Sequence, residues 1–244
     1  MKNLRLILEY RGTRYAGWQK QNNAVTIQGK LEEAIEKITG ERPKIYSSSR
    51  TDAGVHALGL CVSFKTSTKV PMEKLPLALN SVLPHDIAVV SAAEADMDFH
   101  ARFSAKGKKY IYKIHSRAAR SPIHRGFAWH VPRRLDFEAM QEAAAHFVGK
   151  HDFSAFKSTG GSENTSIRTI HSAELIKSGD ILELHISGDG FLYNMVRIIA
   201  GTLVYVGLGK IEPQEIPDII SSGDRTRAGK TAPPEGLFLS EVYY

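Results

Sequence analysis

Tyr46-Ser47-Ser48-Ser49-Arg50-Thr51-Asp52-Ala53-Gly54-Val55-His56-Ala57-Leu58-Gly59-Leu60-Cys61-Val62-Ser63-Phe64 is the stretch from which the rest of the chain is read. Leu58, Leu60, Val62 and Phe64 alternate, which predicts a strand with one buried face. Ahead of it lies a short polar run in which the Asp52 carboxylate follows the Arg50 guanidinium by two residues. Ala53 and Gly54 come next, small enough for the backbone to turn tightly and for a large group to approach. An acid on a strand-to-strand loop, with a cation near to keep it ionised, is what a nucleophile or general base needs. Asp-Ala-Gly is also an ordinary turn cap, so the other residues must decide.

Working outward, Leu4, Leu6, Leu8 and Tyr10 predict a strand over 3–10. The loop from Arg11 to Asn23 mixes cations with aromatics and amides (Arg14, Tyr15, Trp18, Gln19, Lys20). Such a loop can stack on bases while its cations meet phosphates, and Trp18 can equally be a core anchor. Thr26 reads as the N-cap of a helix carrying Ile27, Leu31, Ile35 and Ile38, stopped by Gly40. Strands follow at 42–47 and 57–64, a helical pattern at 71–83 opened or kinked by Pro76, and a strand at 87–92. That order, βαββαβ, is the ferredoxin-like arrangement.

After residue 98 the order repeats: a strand around Tyr110, Tyr112 and Ile114, and a helix over 136–148. Strands at 168–177 and 181–187 follow, then helices at 191–206 and 215–220, with Leu237, Leu239 and Val242 closing the sheet. The predicted class is α+β: two ferredoxin-like halves, 1–103 and 104–244, with a largely antiparallel central sheet and a catalytic cleft between the halves. The second half contains a basic excursion, Ser116 to Arg134, with Arg117, Arg120, Arg125, Arg133 and Arg134 around Phe127 and Trp129. With Lys106, Lys108 and Lys109 just before it, this run favours a phosphate-tracking surface. The 160–166 segment has the composition of a mobile loop that could close on such a partner.

The chain has 244 residues, 42% apolar and 24% charged, and a net charge of +6, a modest excess that favours a polyanionic partner. Its one cysteine, Cys61, lies in the apolar strand, excludes an internal disulfide and fits a reducing compartment. Arg5 and Glu9 interrupt the apolar N-terminal run, so no signal peptide is expected. Phe191 to Val206 holds Asn194 and Arg197 and is too short to span a bilayer. A cytoplasmic protein without a membrane partner is expected.

Ten histidines invite a metal reading, but none falls in a His-x-x-x-His, His-Glu-x-x-His or His-x-His arrangement. His151-Asp152 alone is too weak a signal, so no metal is expected. Phosphate-cradling and dinucleotide-binding glycine loops are missing, and a paired serine or cysteine nucleophile is not signalled, so no cofactor is expected.

Beside Asp52, three segments are more specific than a fold requires: Phe99 to Ala105 with Lys108 to Tyr112 close behind, Gly190 to Arg197, and Thr231 to Leu239. Arg50-Thr51-Asp52-Ala53-Gly54-Val55-His56-Ala57 resembles the signature of the TruA family of tRNA pseudouridine synthases, and the other three segments match that family's later motifs in order. The resemblance runs from Tyr10 to Tyr244. It implies cofactor-free isomerisation of uridine to pseudouridine at nucleotides 38, 39 and 40 of the tRNA anticodon stem-loop. It implies Asp52 as the catalytic carboxylate, Tyr110 packed against the target base, Arg197 as ion-pair partner of Asp52, and Arg50 near the RNA backbone. Expected substrate contacts are Tyr110, Arg50, Arg14, Lys20, Lys108 and Lys109. The family also implies a homodimer with tRNA across both subunits. Ser49, Leu60 and Asn194 depart from residues common in the family at those places. Three routes stay open for Asp52: attack on C1′, attack on C6 of the base, or stabilisation of a glycal-forming elimination.

Overall fold

Leu4, Leu6, Leu8 and Tyr10 are buried while Arg5 and Glu9 face solvent, the period-two pattern that makes Lys2–Tyr10 strand β1. The computed structural model describes residues 1–161 and 164–244; Ser162 and Glu163, inside the segment read above as a mobile loop, lie outside the described residues. The chain divides into two units, Met1–Lys106 with Phe238–Tyr244, and Gly107–Leu237. Both are α+β, with sheets that are mixed but mostly antiparallel.

In the first unit, β1 is followed by α1 (Ile27–Thr39), β2 (Tyr46–Ser47), β3 (His56–Thr66), α2 (Leu75–Asn80) and β4 (Ile87–Ala95). The caps of α1 are the predicted ones. Thr26 accepts a hydrogen bond from the Gly29 N–H, and Gly40 ends the helix at φ 72°. Leu6 pairs antiparallel with Val62 of β3 on one side and with Ala92 of β4 on the other. Two expectations change here. The strand at 42–47 is only Tyr46–Ser47, and β3 is buried on both faces from Leu60 to Phe64 while Leu58 is exposed. Cys61 and Ser63 point away from the Leu60–Val62–Phe64 face and are buried too; the Ser63 hydroxyl accepts from the Ala101 N–H at 3.0 Å. The segment around His100 and Ala101 is thereby docked on the strand.

The last strand, β10 (Leu237–Tyr243), was expected to close the second half. It pairs in parallel with β3, Phe238 opposite His56 and Leu239 opposite Ala57, and residues 238–244 therefore belong with the first unit. The division expected at 103/104 falls after Lys106.

The second unit contains β5 (Gly107–Ser116), β6 (Trp129–Val131), α3 (Phe137–Ala145), β7 (Gly149–Asp152), β8 (Ile167–Ser178), β9 (Ile181–Gly188), α4 (Met195–Gly207) and α5 (Ile216–Ser222). Its sheet runs β5-β9-β8-β7, all antiparallel, with β6 added in parallel to β5. The basic excursion is therefore not all loop: Trp129 is buried in β6, with the Lys230 ammonium over its ring. His151-Asp152 lies in the edge strand β7. Helix α4 starts at Met195 rather than 191, because the chain first turns at Leu192 (Met195 N–H to Leu192 O, 3.0 Å) and Asn194 is left-handed. No helix among the described residues is long and apolar enough to cross a membrane.

Candidate active site

The loop that carries Asp52 is shaped by backbone before any side chain is considered. The Val55 N–H donates to Asp52 O at 3.1 Å, closing a turn in which Gly54 sits at φ 81°. The Trp18 N–H donates to Thr51 O at 3.0 Å, and the Thr51 and Tyr10 hydroxyls bond at 2.7 Å. A Cβ on Gly17 would stand 2.5 Å from Thr51 O, and one on Gly12 1.9 Å from Val55 O. The 11–23 loop can lie this close only because both positions lack a side chain. Thr51 and Val55 are buried and Asp52 is half-buried, so the carboxylate stands on a loop held from both sides.

Just after it, His56 is buried, its ring stacked on Phe238 with centroids 4.7 Å apart, and its Nδ1 accepts from the Gly12 N–H at 3.1 Å. That bond fixes the neutral tautomer protonated at Nε2. Trp18 is a core residue, 3% exposed, which resolves its two readings in favour of the anchor.

The cations expected to meet RNA are placed unequally. Arg14 is exposed but bound to Asp86 through Nε at 2.8 Å and a terminal nitrogen at 2.6 Å, and the Tyr15 hydroxyl donates to the other Asp86 oxygen. Burial pushes the Asp86 carboxyl up, yet hydrogen bonds from Tyr15 and Arg14 outweigh it and hold it below the ordinary carboxylate range. Lys20 is paired with Glu32 at 2.7 Å, and Arg50 is exposed.

In the second unit Tyr110 lies in β5 opposite Ile186, 7% exposed, with Phe191 packed edge-on at 5.1 Å. Lys108 and Lys109 precede it, both half-buried; strand alternation sets Lys108 on the face of Tyr110 and Lys109 on the other. Arg197 is on the first turn of α4. Its Nε donates to the Ala232 carbonyl at 2.7 Å, a terminal nitrogen donates to Asn194 Oδ1 at 2.8 Å, and its own carbonyl accepts from the Ala232 N–H at 3.0 Å. Asn194 in turn donates to Ser158 Oγ at 3.0 Å. A carboxylate on a loop braced through its backbone in one unit, and a buried tyrosine with an oriented guanidinium in the other, are groups suited to charge stabilisation. Among the described residues no three His, Cys, Asp or Glu side chains are grouped to hold a metal ion.

The tRNA pseudouridine synthase family profile matches residues 6–104 and 143–244. The chain belongs to that family. It is 52% identical over 244 residues to tRNA pseudouridine synthase A of Thermoanaerobacter sp. (strain X514), and 54% identical over 244 residues to that of Acetivibrio thermocellus, with 100% of both chains covered each time. An archaeal box H/ACA Nop10–Cbf5 complex aligns at a TM-score of 0.42 and 12% identity over 84% of this chain and 44% of that one, a likeness too slight to build on.

Within this pseudouridine synthase, Arg50 and Asp52 share one loop of the first unit, while Lys108, Lys109, Tyr110 and Arg197 lie in the second. Sequence reading passed over Ser158 and the part played by Asn194. A trace of the latter was available: asparagine is among the few residues that take a left-handed conformation readily, and this one directly precedes the helix that starts at Met195.

Proposed function

We propose that this tRNA pseudouridine synthase acts without a cofactor at uridines 38, 39 and 40 of the anticodon stem-loop, through the Asp52 carboxylate. The reaction breaks the bond from uracil N1 to ribose C1′, turns the base, and forms a bond from C5 to C1′. The proton on C5 is lost and N1 gains one, so the isomerisation balances without an external reactant. Asp52 supplies the negative oxygens, either bonded to C1′ or to C6 or facing the cation-like sugar. Arg197 is proposed as its counter-ion, Tyr110 as the ring against the base, and Arg50 as a backbone contact. A stacked uridine cannot reach such groups, so the nucleotide is extruded at a cost of a few kcal/mol, offset by counterion release at the basic surface.

The observation that carries this reading is the order of four motifs along a chain covered end to end by relatives named tRNA pseudouridine synthase A. The βαββαβ order of the first unit, with β1 between β3 and β4, supports reading the first half as ferredoxin-like, the reacting nucleotide entering the cleft inferred from the sequence. The proposal includes a homodimer, a cytoplasmic setting, and substrate contacts from Arg14, Lys20, Lys108 and Lys109, the first two exchanging Asp86 and Glu32 for phosphates. Pseudouridine has the mass of uridine, so the test is chemical mapping of tRNA from cells with and without the chain. Loss of pseudouridine at 38–40 in the deleted strain is expected. Unaltered tRNA in that strain, with binding of tRNA intact in vitro, contradicts the reading and leaves only an RNA-binding role.

A further inference from the structure

The basic excursion builds a pocket in the second unit that the proposed reaction does not use. Parallel pairing of β5 with β6 sets His115 opposite His130, ring centroids 5.3 Å apart, and the turn between them brings the His124 ring to 5.4 Å from His115. Arg120 and Arg125 from the same turn, and Glu235 from the turn before β10, complete a cavity of about 620 Å³, a size normal for a small-ligand site.

His115 is only 2% exposed, and no described residue gives its ring nitrogens a hydrogen bond. Neither nitrogen is an orphaned buried atom, and His115 lines the cavity. His130 donates from Nε2 to the Arg117 carbonyl at 2.9 Å. Neither Arg120 nor Arg125 is in an ion pair with a described residue, and Glu235 pairs with none of these groups, in contrast to Arg14 and Lys20 on the first unit. Burial lowers the His115 imidazole, and Arg117, His130 and His124 push it the same way against a weaker pull from Asp180. Two arginines beside three imidazoles, with His115 held toward its neutral form by burial, form a site whose repulsion an anion relieves.

We propose that this pocket binds a phosphate of the RNA substrate, Arg120 and Arg125 supplying charge and His115 and His124 supplying ring N–H donors. The inference rests on tRNA being the substrate. A bound phosphate favours the imidazolium, so binding takes up protons and strengthens as pH falls.

The test measures tRNA affinity by filter retention near pH 6 and near pH 8 at fixed ionic strength. It compares wild type, Arg120→Gln/Arg125→Gln, His115→Gln and the exposed-site variant His124→Gln, with folding checked by circular dichroism. The double arginine variant is expected to bind about tenfold more weakly, with the slope of log affinity against log salt reduced by about 1. Both histidine variants are expected to lose at least half of the wild-type gain on acidification, and His124→Gln keeps the test open should His115→Gln fail to fold. Turnover follows affinity, the loss falling in KM rather than kcat. Inorganic phosphate at constant ionic strength should displace tRNA from wild type and much less from the double variant. Equal affinity, salt slope and pH response in all four proteins overturns the pocket. So does phosphate that stabilises wild type thermally without altering tRNA binding, which assigns the pocket to free phosphate. Wild type that never binds or modifies tRNA overturns the functional reading itself, a separate outcome.

Discussion

Asn194 holds a backbone conformation, φ 62°, that costs most side chains about 1–2 kcal/mol. Its amide spans Ser158 and Arg197, so the residue orients the guanidinium as well as starting the helix. Asn194→Gly removes the amide but keeps the backbone freedom; Asn194→Ala removes both. Both variants are expected to lower turnover about tenfold, the order of a lost charge-assisted hydrogen bond, while thermal melts should show Ala less stable than Gly. Equal melting of the two, with normal turnover, would deny Asn194 both roles. Asp86 makes a second prediction at this scale. Its folded pKa is depressed, so its contribution is full above the unfolded value of about 3.9 and is lost as pH falls through the folded one. Asp86→Asn should cost ~1–3 kcal/mol in denaturant melts at neutral pH and progressively less in acid, as wild type loses the same interaction. Beyond the readiness of asparagine to take a left-handed conformation, these contacts were not legible in the sequence, because the partners, Tyr15 with Asp86 and Ser158 with Asn194, are brought together by the fold.

Helix α4 meets the 229–232 segment backbone to backbone. A Cβ on Gly201 would lie 1.7 Å from Lys230 O, and the Gly229 N–H donates to Thr202 Oγ1 at 2.9 Å. The segment pressed against the helix ends at Ala232, whose carbonyl receives Arg197. Gly201→Ala is therefore expected to destabilise by ~1–3 kcal/mol through overpacking, and to reduce turnover even at temperatures where the variant is fully folded. Melts paired with turnover measurements check this; normal turnover in the folded variant would uncouple the segment from Arg197. At this scale, legibility followed length. The caps of α1 and the run of β8 and β9 were readable because their patterns are long. Strands β6 and β7 have three and four residues, too few for alternation to register. The alternation in β10 was visible, but its partner β3 lies far off in sequence, and pattern alone does not select a partner.

For the molecule as a whole, the net charge of +6 and the exposed arginines of the excursion make RNA binding salt-dependent. If six to ten phosphates are contacted, tRNA affinity should fall roughly 10³–10⁵-fold between 50 and 200 mM salt. An affinity nearly independent of salt would rule out that electrostatic footprint. The family was legible because its chemistry is written in contiguous motifs. The backbone packing that braces the Asp52 loop was not, since Gly12 and Gly17 carry no sign of what they touch. The most direct measurement is tritium release from tRNA labelled at uridine C5, where the new bond to C1′ displaces the label. Wild type should release tritium at positions 38–40, and Asp52→Asn, folded and binding tRNA, should be slower by at least ~10³, since lost acid–base function alone reaches about 10²–10⁴. Release by Asp52→Asn within tenfold of wild type would contradict the account.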